Sequence, residues 1–250
     1  EVMDQVQHAV RGPLGRRAVE VPMTGKVIAD SFGSKMPHFD RIYNSADIFK
    51  RSQSSFMLWR NLSSVALPET PDLAHWTYPL PLKIKGVPNI YTLHDIVPLR
   101  LPHTTLDNKR RYLDMLRQLK DSADHFVTVS ECSKRDIVDI VGIAPDRITN
   151  TYQSVDIPAS LREKPEDQVA REVEGLLGVG YKDYLLFWGS IEPKKNIGRM
   201  IEAYLASGVN APLVIVGAQA WKSKQELRLL EAGGGSALHD YGNISRKGII

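Results

Sequence analysis

Apolar and polar positions along this chain fall into two periods, one of about 3.6 residues and one of short continuous apolar runs, and the switches between them mark its elements. "DIFKRSQSSFMLWRNL" carries Ile48, Phe49, Phe56 and Trp59 in a helical stretch. From Val87 onward "VPNIYTL" predicts a short buried strand, and "LDNKRRYLDMLRQLKDSA" predicts a helix with Leu113, Leu116 and Leu119 inward. "HFVTVS" is the next strand. "SKRDIVDIVG" predicts a helix capped by Ser133, with Asp136 in its first turn and Gly142 closing it. Residues 153–181 are polar and rich in turn formers at both ends, with one amphipathic piece in the middle. After them "YLLFWG" and "PLVIVG" predict strands, "NIGRMIEAYLAS" and "KSKQELRLLEAG" helices, and "ISRKGII" a third strand. Ile197, Met200, Ile201, Tyr204 and Leu205 share one helical face. "VRGPLGRRAVEVP" reads as a loop or linker.

Strand and helix alternate, which argues for parallel sheets with crossover helices. The expected class is therefore α/β, in two Rossmann-like pieces spanning residues 1–165 and 166–250, the second stopping about halfway through a doubly wound unit. No internal repeat or low-complexity tract interrupts them.

Composition narrows the partners. Of 250 residues 42% are hydrophobic and 24% charged, as in a folded globular chain. A net charge of +3 suits an anionic substrate or membrane surface and does not by itself indicate nucleic acid, so no nucleic-acid partner is expected. The single cysteine, Cys132, leaves no internal disulfide framework and no cysteine-based zinc cluster; a reducing, cytoplasmic setting is expected. No apolar run approaches the roughly 18 to 20 residues of a membrane span, and "EVMDQVQHAV" has no signal-peptide pattern. The chain opens on Glu1 and is expected to be incomplete at both ends.

Two spots carry candidate chemistry. In open parallel sheets, ligands bind beyond the carboxyl ends of strands, where the next helix begins. "FWGSIEPKKNIGRM" sets Lys194 and Lys195 in such a turn, beside a helix N-terminus whose free N–H groups suit a phosphate or diphosphate; on turn chemistry alone, merely solvated lysines fit as well. "YTLHDIVPL" sets His94 and Asp95, the candidate catalytic residues, at the end of a buried strand, where the imidazole could position a reacting hydroxyl or a sugar and the carboxylate could hold the imidazole or cap the loop; a purely structural role fits as well. No G-x-x-x-x-G-K-[ST], no strand-borne G-x-G-x-x-G, no zinc spacing and no G-x-S-x-G occurs, which disfavours a nucleotide triphosphatase, a nicotinamide enzyme and a serine acyl transferase.

Taken together, "DLAHWTYPLPLKIKGVPNIYTLHDIVPLRLP", "SADHFVTVSECSKRDIVDIVGIAPDRIT", "WGSIEPKKNIGRMIEAY" and "PLVIVGAQAW" resemble, in order, glycosyltransferase family 4, and specifically its bacterial mannosyltransferase-like members. The resemblance implies a GT-B fold, two Rossmann-like domains with parallel sheets facing a cleft, here with the second truncated, and transfer of a hexose with retention. The expected donor is GDP-mannose and the acceptor a polysaccharide or lipid-linked oligosaccharide; a UDP-sugar-dependent glucosyl- or N-acetylhexosaminyl-transferase, or a non-catalytic glycan- or partner-binding module, are the alternatives. By position Lys195 matches the lysine that contacts the donor diphosphate, and His94 the histidine lining the cleft near the transferred sugar, with Asp95 beside it. Gly189 lets the backbone approach the donor and Glu192 orders the turn. Ser190 stands where arginine or threonine is common, which leaves Lys195 more of the charge. No metal and no cofactor beyond the nucleotide sugar are expected. Gln153-Ser154-Val155-Asp156 replaces the usual Asn-Gly-Val-Asp, and Ile250 precedes the expected E-x7-E segment. The clusters Lys109-Arg110-Arg111 and Arg16-Arg17 are the candidates for peripheral contact with the inner face of an anionic membrane.

Overall fold

The computed structural model describes residues 16–22, 38–221 and 223–232. They divide into two compact units, the first holding residues up to Pro102 and Leu106–Gln153, the second His103–Thr105 and the residues from Ser154 on. The expected third strand "ISRKGII" lies outside the described residues.

In the first unit β1 (Arg16–Arg17), β4 (Ser63–Ala66) and β6 (Leu82–Ile84) form a parallel sheet in the order β1-β4-β6, and β2 (Val19–Val21) pairs antiparallel with β3 (Ile42–Asn44). The expected loop around Arg16 is thus two short strands, and Ala18, between them, is buried in a small core with Val65 and Leu82. Helix α1 (Ile48–Trp59) packs Phe56 inward and leaves Phe49 and Trp59 exposed.

The main sheet is fully parallel, β5 (Ala74–Trp76), β7 (Asn89–Thr92), β8 (His125–Thr128) and β9 (Ile148–Asn150) in the order β5-β7-β8-β9. Its register aligns Tyr91 with Trp76 on one side and Phe126 on the other, so three aromatic rings run across the strands at centroid spacings of 6.1 and 6.3 Å. Tyr91 and Phe126 are fully buried, each worth about 1.5–3 kcal/mol of apolar transfer. Burial, and after it the charge of Asp124, raises the Tyr91 hydroxyl well above its ordinary pKa, so it stays protonated and donates to the Leu82 carbonyl. A four-residue helix, α2 (Val97–Arg100), precedes α3 (Lys109–Ser122), which Asn108 caps by accepting from the Arg111 amide. Met115, Leu116 and Leu119 are its buried residues; Leu113 is only partly buried, because on that turn Tyr112 is the residue packed against the core. Ser130, not Ser133, caps α4 (Glu131–Asp136): Ser130 has extended backbone and its Oγ takes the Ser133 N–H at 3.0 Å. The helix then widens into a π turn, Ile137–Val141, and stops at Gly142, whose φ of 73° suits glycine.

Asn89 ties these layers together from the first position of β7. Its Oδ1 accepts from Trp76 Nε1 and from the Ile84 N–H, both at 3.0 Å, and its Nδ2 donates to the carbonyls of Ile84 and Val87, both at 2.8 Å. Its own N–H donates to Asp124 Oδ2 at 2.7 Å, and its carbonyl accepts from the Asp124 N–H. Every polar group of a 5% exposed residue is therefore satisfied.

In the second unit α5 (Ala159–Arg162) and α6 (Glu166–Leu177) precede β10 (Leu185–Trp188), which pairs in parallel with β11 (Leu213–Val216). Between them α7 (Ile197–Ser207) buries Ile197 and Ile201 against Leu213, with Met200 and Tyr204 partly covered. Leu205 is 56% exposed, since the core face closes at Ile201 and Tyr204. Helix α8 (Ser223–Ala232) completes the described chain. Parallel strands joined by helices in both units make this the expected α/β, Rossmann-like chain.

Replacing Asn89 by aspartate turns two donated hydrogen bonds into oxygen facing oxygen at Ile84 and Val87. Urea unfolding of Asn89→Asp should show a loss of about 3 kcal/mol or more at neutral pH; a loss under about 1 kcal/mol would mean the knot is dispensable.

Candidate functional site

The first candidate group stands at the carboxyl end of β7, a strand with neighbours on both sides. Leu93 follows it fully buried; its N–H donates to the Val127 carbonyl and its own carbonyl accepts from Thr128 Oγ1 at 2.7 Å. The backbone entering His94 is thus fixed from β8. His94 Nε2 lies 3.1 Å from the Thr77 carbonyl, and Nδ1 lies 3.4 Å from Gln153 Nε2. A carbonyl only accepts, so Nε2 carries the ring proton, and Nδ1 is left to accept from the Gln153 amide. Both ring nitrogens are engaged by the protein, which makes His94 an oriented wall rather than a group with a free lone pair.

Asp95 shapes the next turn. Its Oδ1 accepts from the Val97 N–H at 3.0 Å, ahead of α2, and the Tyr112 hydroxyl approaches its carbonyl at 3.4 Å. One carboxylate oxygen holds the loop and the other faces solvent with the exposed side chain. Burial, with the charge of Asp95 next in size, pushes the Tyr112 hydroxyl well above its ordinary pKa, so it remains a donor.

The second group lies beyond β10 and β11. Gly189 has φ of 142°, a backbone that side chains rarely adopt, and its N–H donates to the Val216 carbonyl. Opposite it a Cβ on Gly217 would fall 1.7 Å from the Gly189 carbonyl oxygen, so the two strands approach here more closely than any side chain permits. The ladder resumes one step on, where Ile191 bridges to Gln219. Ser190 Oγ donates to Glu192 Oε1 at 2.6 Å, and the same oxygen receives Lys194 Nζ at 3.3 Å. Lys194 is consumed within the turn. Among the described residues Lys195, exposed beside it, makes no ion pair, and only its backbone N–H is used, on the Glu192 carbonyl. Asn196 then adopts the left-handed region at φ of 54° and α7 begins.

The amide end of α7 is partly taken. Glu226, from α8, accepts the Gly198 N–H through Oε2 at 2.9 Å. Neither this carboxylate nor the roles of Gln153, Thr77 and Gly217 follow from the sequence; the Gly217 pinch alone had a signal, a glycine closing the "PLVIVG" strand. The structure brings His94 and Asp95 together in the first unit, and Gly189, Ser190, Glu192 and Lys195 together in the second. Among the described residues no cluster of three or more His, Cys, Asp or Glu could hold a metal ion, and no helix is long and apolar enough to cross a membrane.

The profile of the family described as Glycosyltransferase Family 4 matches residues 26–157, just over half of the chain and the part that includes His94 and Asp95. O-antigen chain mannosyltransferase B of Escherichia coli is 27% identical over 149 residues, a stretch covering 58% of this chain and 38% of that protein. The chain thus spans well under half the length of that relative.

Burial raises the Glu192 carboxyl, but the Ser190 hydroxyl and the charges of Lys194 and Lys195 outweigh it and hold it below its ordinary 4.5. A depressed folded value means that the stability gained from ionised Glu192 is fully present above the ordinary carboxylate range and is lost as pH falls through the lowered value. Thermal unfolding followed from pH 7 to pH 3 should therefore fall more steeply for the native chain than for Glu192→Gln. Parallel curves would show that the carboxylate contributes nothing to the turn.

Proposed function

This chain belongs to glycosyltransferase family 4, and from that premise we propose that it transfers a hexose, mannose from GDP-mannose, with retention onto a polysaccharide or lipid-linked oligosaccharide. One observation carries the reading: after the first strand of the second unit, a turn neutralises one lysine through Glu192 and leaves the adjacent Lys195 exposed without an ion pair among the described residues. Transfer breaks the bond from the anomeric carbon to the diphosphate, forms a bond to the acceptor oxygen, and moves the acceptor proton to the departing phosphate oxygen. Negative charge builds on the diphosphate as positive charge builds on the sugar, so a fixed cation beside the leaving group lowers the barrier. Gly189 and Gly217, with no side chains between them, leave room for backbone to approach the donor.

His94 fits a positioning role. With Nε2–H on the Thr77 carbonyl and Nδ1 on Gln153, it does not take the acceptor proton; its ring edge fixes where a sugar rests. The name of the Escherichia coli relative, a mannosyltransferase, supports mannose as the sugar.

A membrane-bound acceptor fits the first unit. Lys109, Arg110 and Arg111 occupy the first turn of α3, where the helix dipole already presents positive charge, a placement that costs each roughly 0.3–1 kcal/mol. Arg111 Nη2 reaches Met57 Sδ at 3.1 Å, which sets the basic turn against α1 with its exposed Phe49, Met57 and Leu58. Cations flanking exposed apolar side chains suit an anionic lipid surface.

Two measurements test these readings. Lys195→Ala should lower turnover on the order of a hundredfold and abolish the rise in unfolding temperature that GDP or GDP-mannose produces. Near-normal turnover would place the diphosphate elsewhere, and a shift with UDP but not GDP would reassign the base. Changing Lys109, Arg110 and Arg111 together to glutamine should lower partition onto phosphatidylglycerol vesicles by about two orders of magnitude, at about 1 kcal/mol per charge; unchanged co-sedimentation removes the membrane reading.

A further inference from the structure

The β1-β4-β6 sheet of the first unit holds a cavity of about 470 Å³ that the proposed transfer does not use. It lies toward the carboxyl ends of the three parallel strands, between Arg16 and Arg17 of β1, the stretch from Ser64 to Leu67 that ends β4, and Ile84 with Lys85 at the end of β6. Thr70 and Pro71 form its remaining wall. Among the described residues three cations line it and no carboxylate does. The acid nearest in sequence to this wall, Glu69, is tied outward to Arg41, Nη1 to Oε1 at 2.5 Å, and so is not available to balance them. Among the described residues neither Arg17 nor Lys85 has an ion-pair partner.

We infer that this cavity is a second anion site, taking the phosphate or diphosphate group of a ligand, separate from the Lys195 turn. The like charges of Arg17 and Lys85 at one cavity repel one another, and a polyvalent anion converts that repulsion into attraction. Arginine forks match phosphate oxygens two at a time, and Lys85 adds a point charge. The hydroxyls of Ser64 and Thr70, both in the lining, are further donors for phosphate oxygens. Ligands of parallel sheets sit at this end of the strands, and the volume falls within the range of small-molecule sites. The phosphate can come from a free diphosphate or from the head of a prenyl carrier, and the chemistry of the cavity is the same for both.

Isothermal titration with inorganic pyrophosphate at low ionic strength tests the assignment. Two classes of site are expected in the native chain and one in Lys195→Ala; the remaining site should weaken at least about tenfold when Arg17→Gln and Lys85→Gln are added. The charge-keeping pair Arg17→Lys and Lys85→Arg should stay within about threefold of the Lys195→Ala background, which separates charge from fold. Unchanged affinity in the glutamine variant, or no pyrophosphate binding in Lys195→Ala, overturns the proposal. If Lys195→Ala instead keeps both sites, the donor reading fails while the glutamine variant still decides this one. Tighter binding of citronellyl diphosphate than of pyrophosphate at this site assigns the phosphate to a prenyl carrier; equal affinity assigns it to a free diphosphate.

Discussion

The first unit turns on one buried amide. Asn89 sits where β7 begins, and through it the β6 end, the Trp76 indole and the Asp124 loop are held to one strand. A side-chain amide is the only group of that size with two donors and an acceptor that can accept twice, so it alone answers two carbonyls and two N–H groups at once. Leaving any of these unpaired at 5% exposure would cost about 1–3 kcal/mol each. What the knot fixes at the start of β7, the aromatic row and the Thr128 hydroxyl carry to its end. His94 is therefore placed by the middle of the sheet and not by its own loop.

The second unit solves a different problem, how to keep one lysine available. Two adjacent lysines in a turn repel each other and attract any nearby carboxylate. Glu192 is that carboxylate, and its Oε1 is already shared between Ser190 and Lys194. A side chain the size of arginine at position 190 would add a cation there and displace the hydroxyl that organises Glu192. The serine found instead goes with a turn whose free charge rests on Lys195.

How much of this was legible follows from the range of each interaction. The strands at 89–92 and 125–128 and the helix at 109–122 announce themselves through local apolar spacing, and the parallel order follows from their alternation. The knot at Asn89 does not show within "VPNIYTL", because its partners lie 2 to 35 residues away. Ser133 looks like the cap because it precedes the run of helical spacing, whereas backbone geometry puts the cap at Ser130. Residues around Arg16 read as a loop since two- and three-residue strands leave no periodicity to detect. At the candidate site the two lysines follow from turn chemistry and Gly189, Ser190 and Glu192 from the resemblance, but the separate fates of Lys194 and Lys195 depend on the direction of the Glu192 side chain, which no spacing encodes.

Glu226 bears on which element meets the diphosphate. A helix N-terminus attracts an anion through a few unpaired N–H groups, and in α7 the Gly198 N–H is already given to the Glu226 carboxylate. That carboxylate offsets part of the positive end of the helix, so a diphosphate arriving here gains less from the dipole than it would at an open helix end. On the proposed function the attraction then falls to Lys195, which makes no ion pair among the described residues, and to the backbone where Gly189 and Gly217 pinch together. A point charge on a flexible stem can follow phosphate oxygens as the bond to the sugar lengthens, whereas a helix end is fixed. On the proposed function the lysine would respond to charge that develops during transfer, which is the component of binding that accelerates a reaction rather than merely holding its substrate.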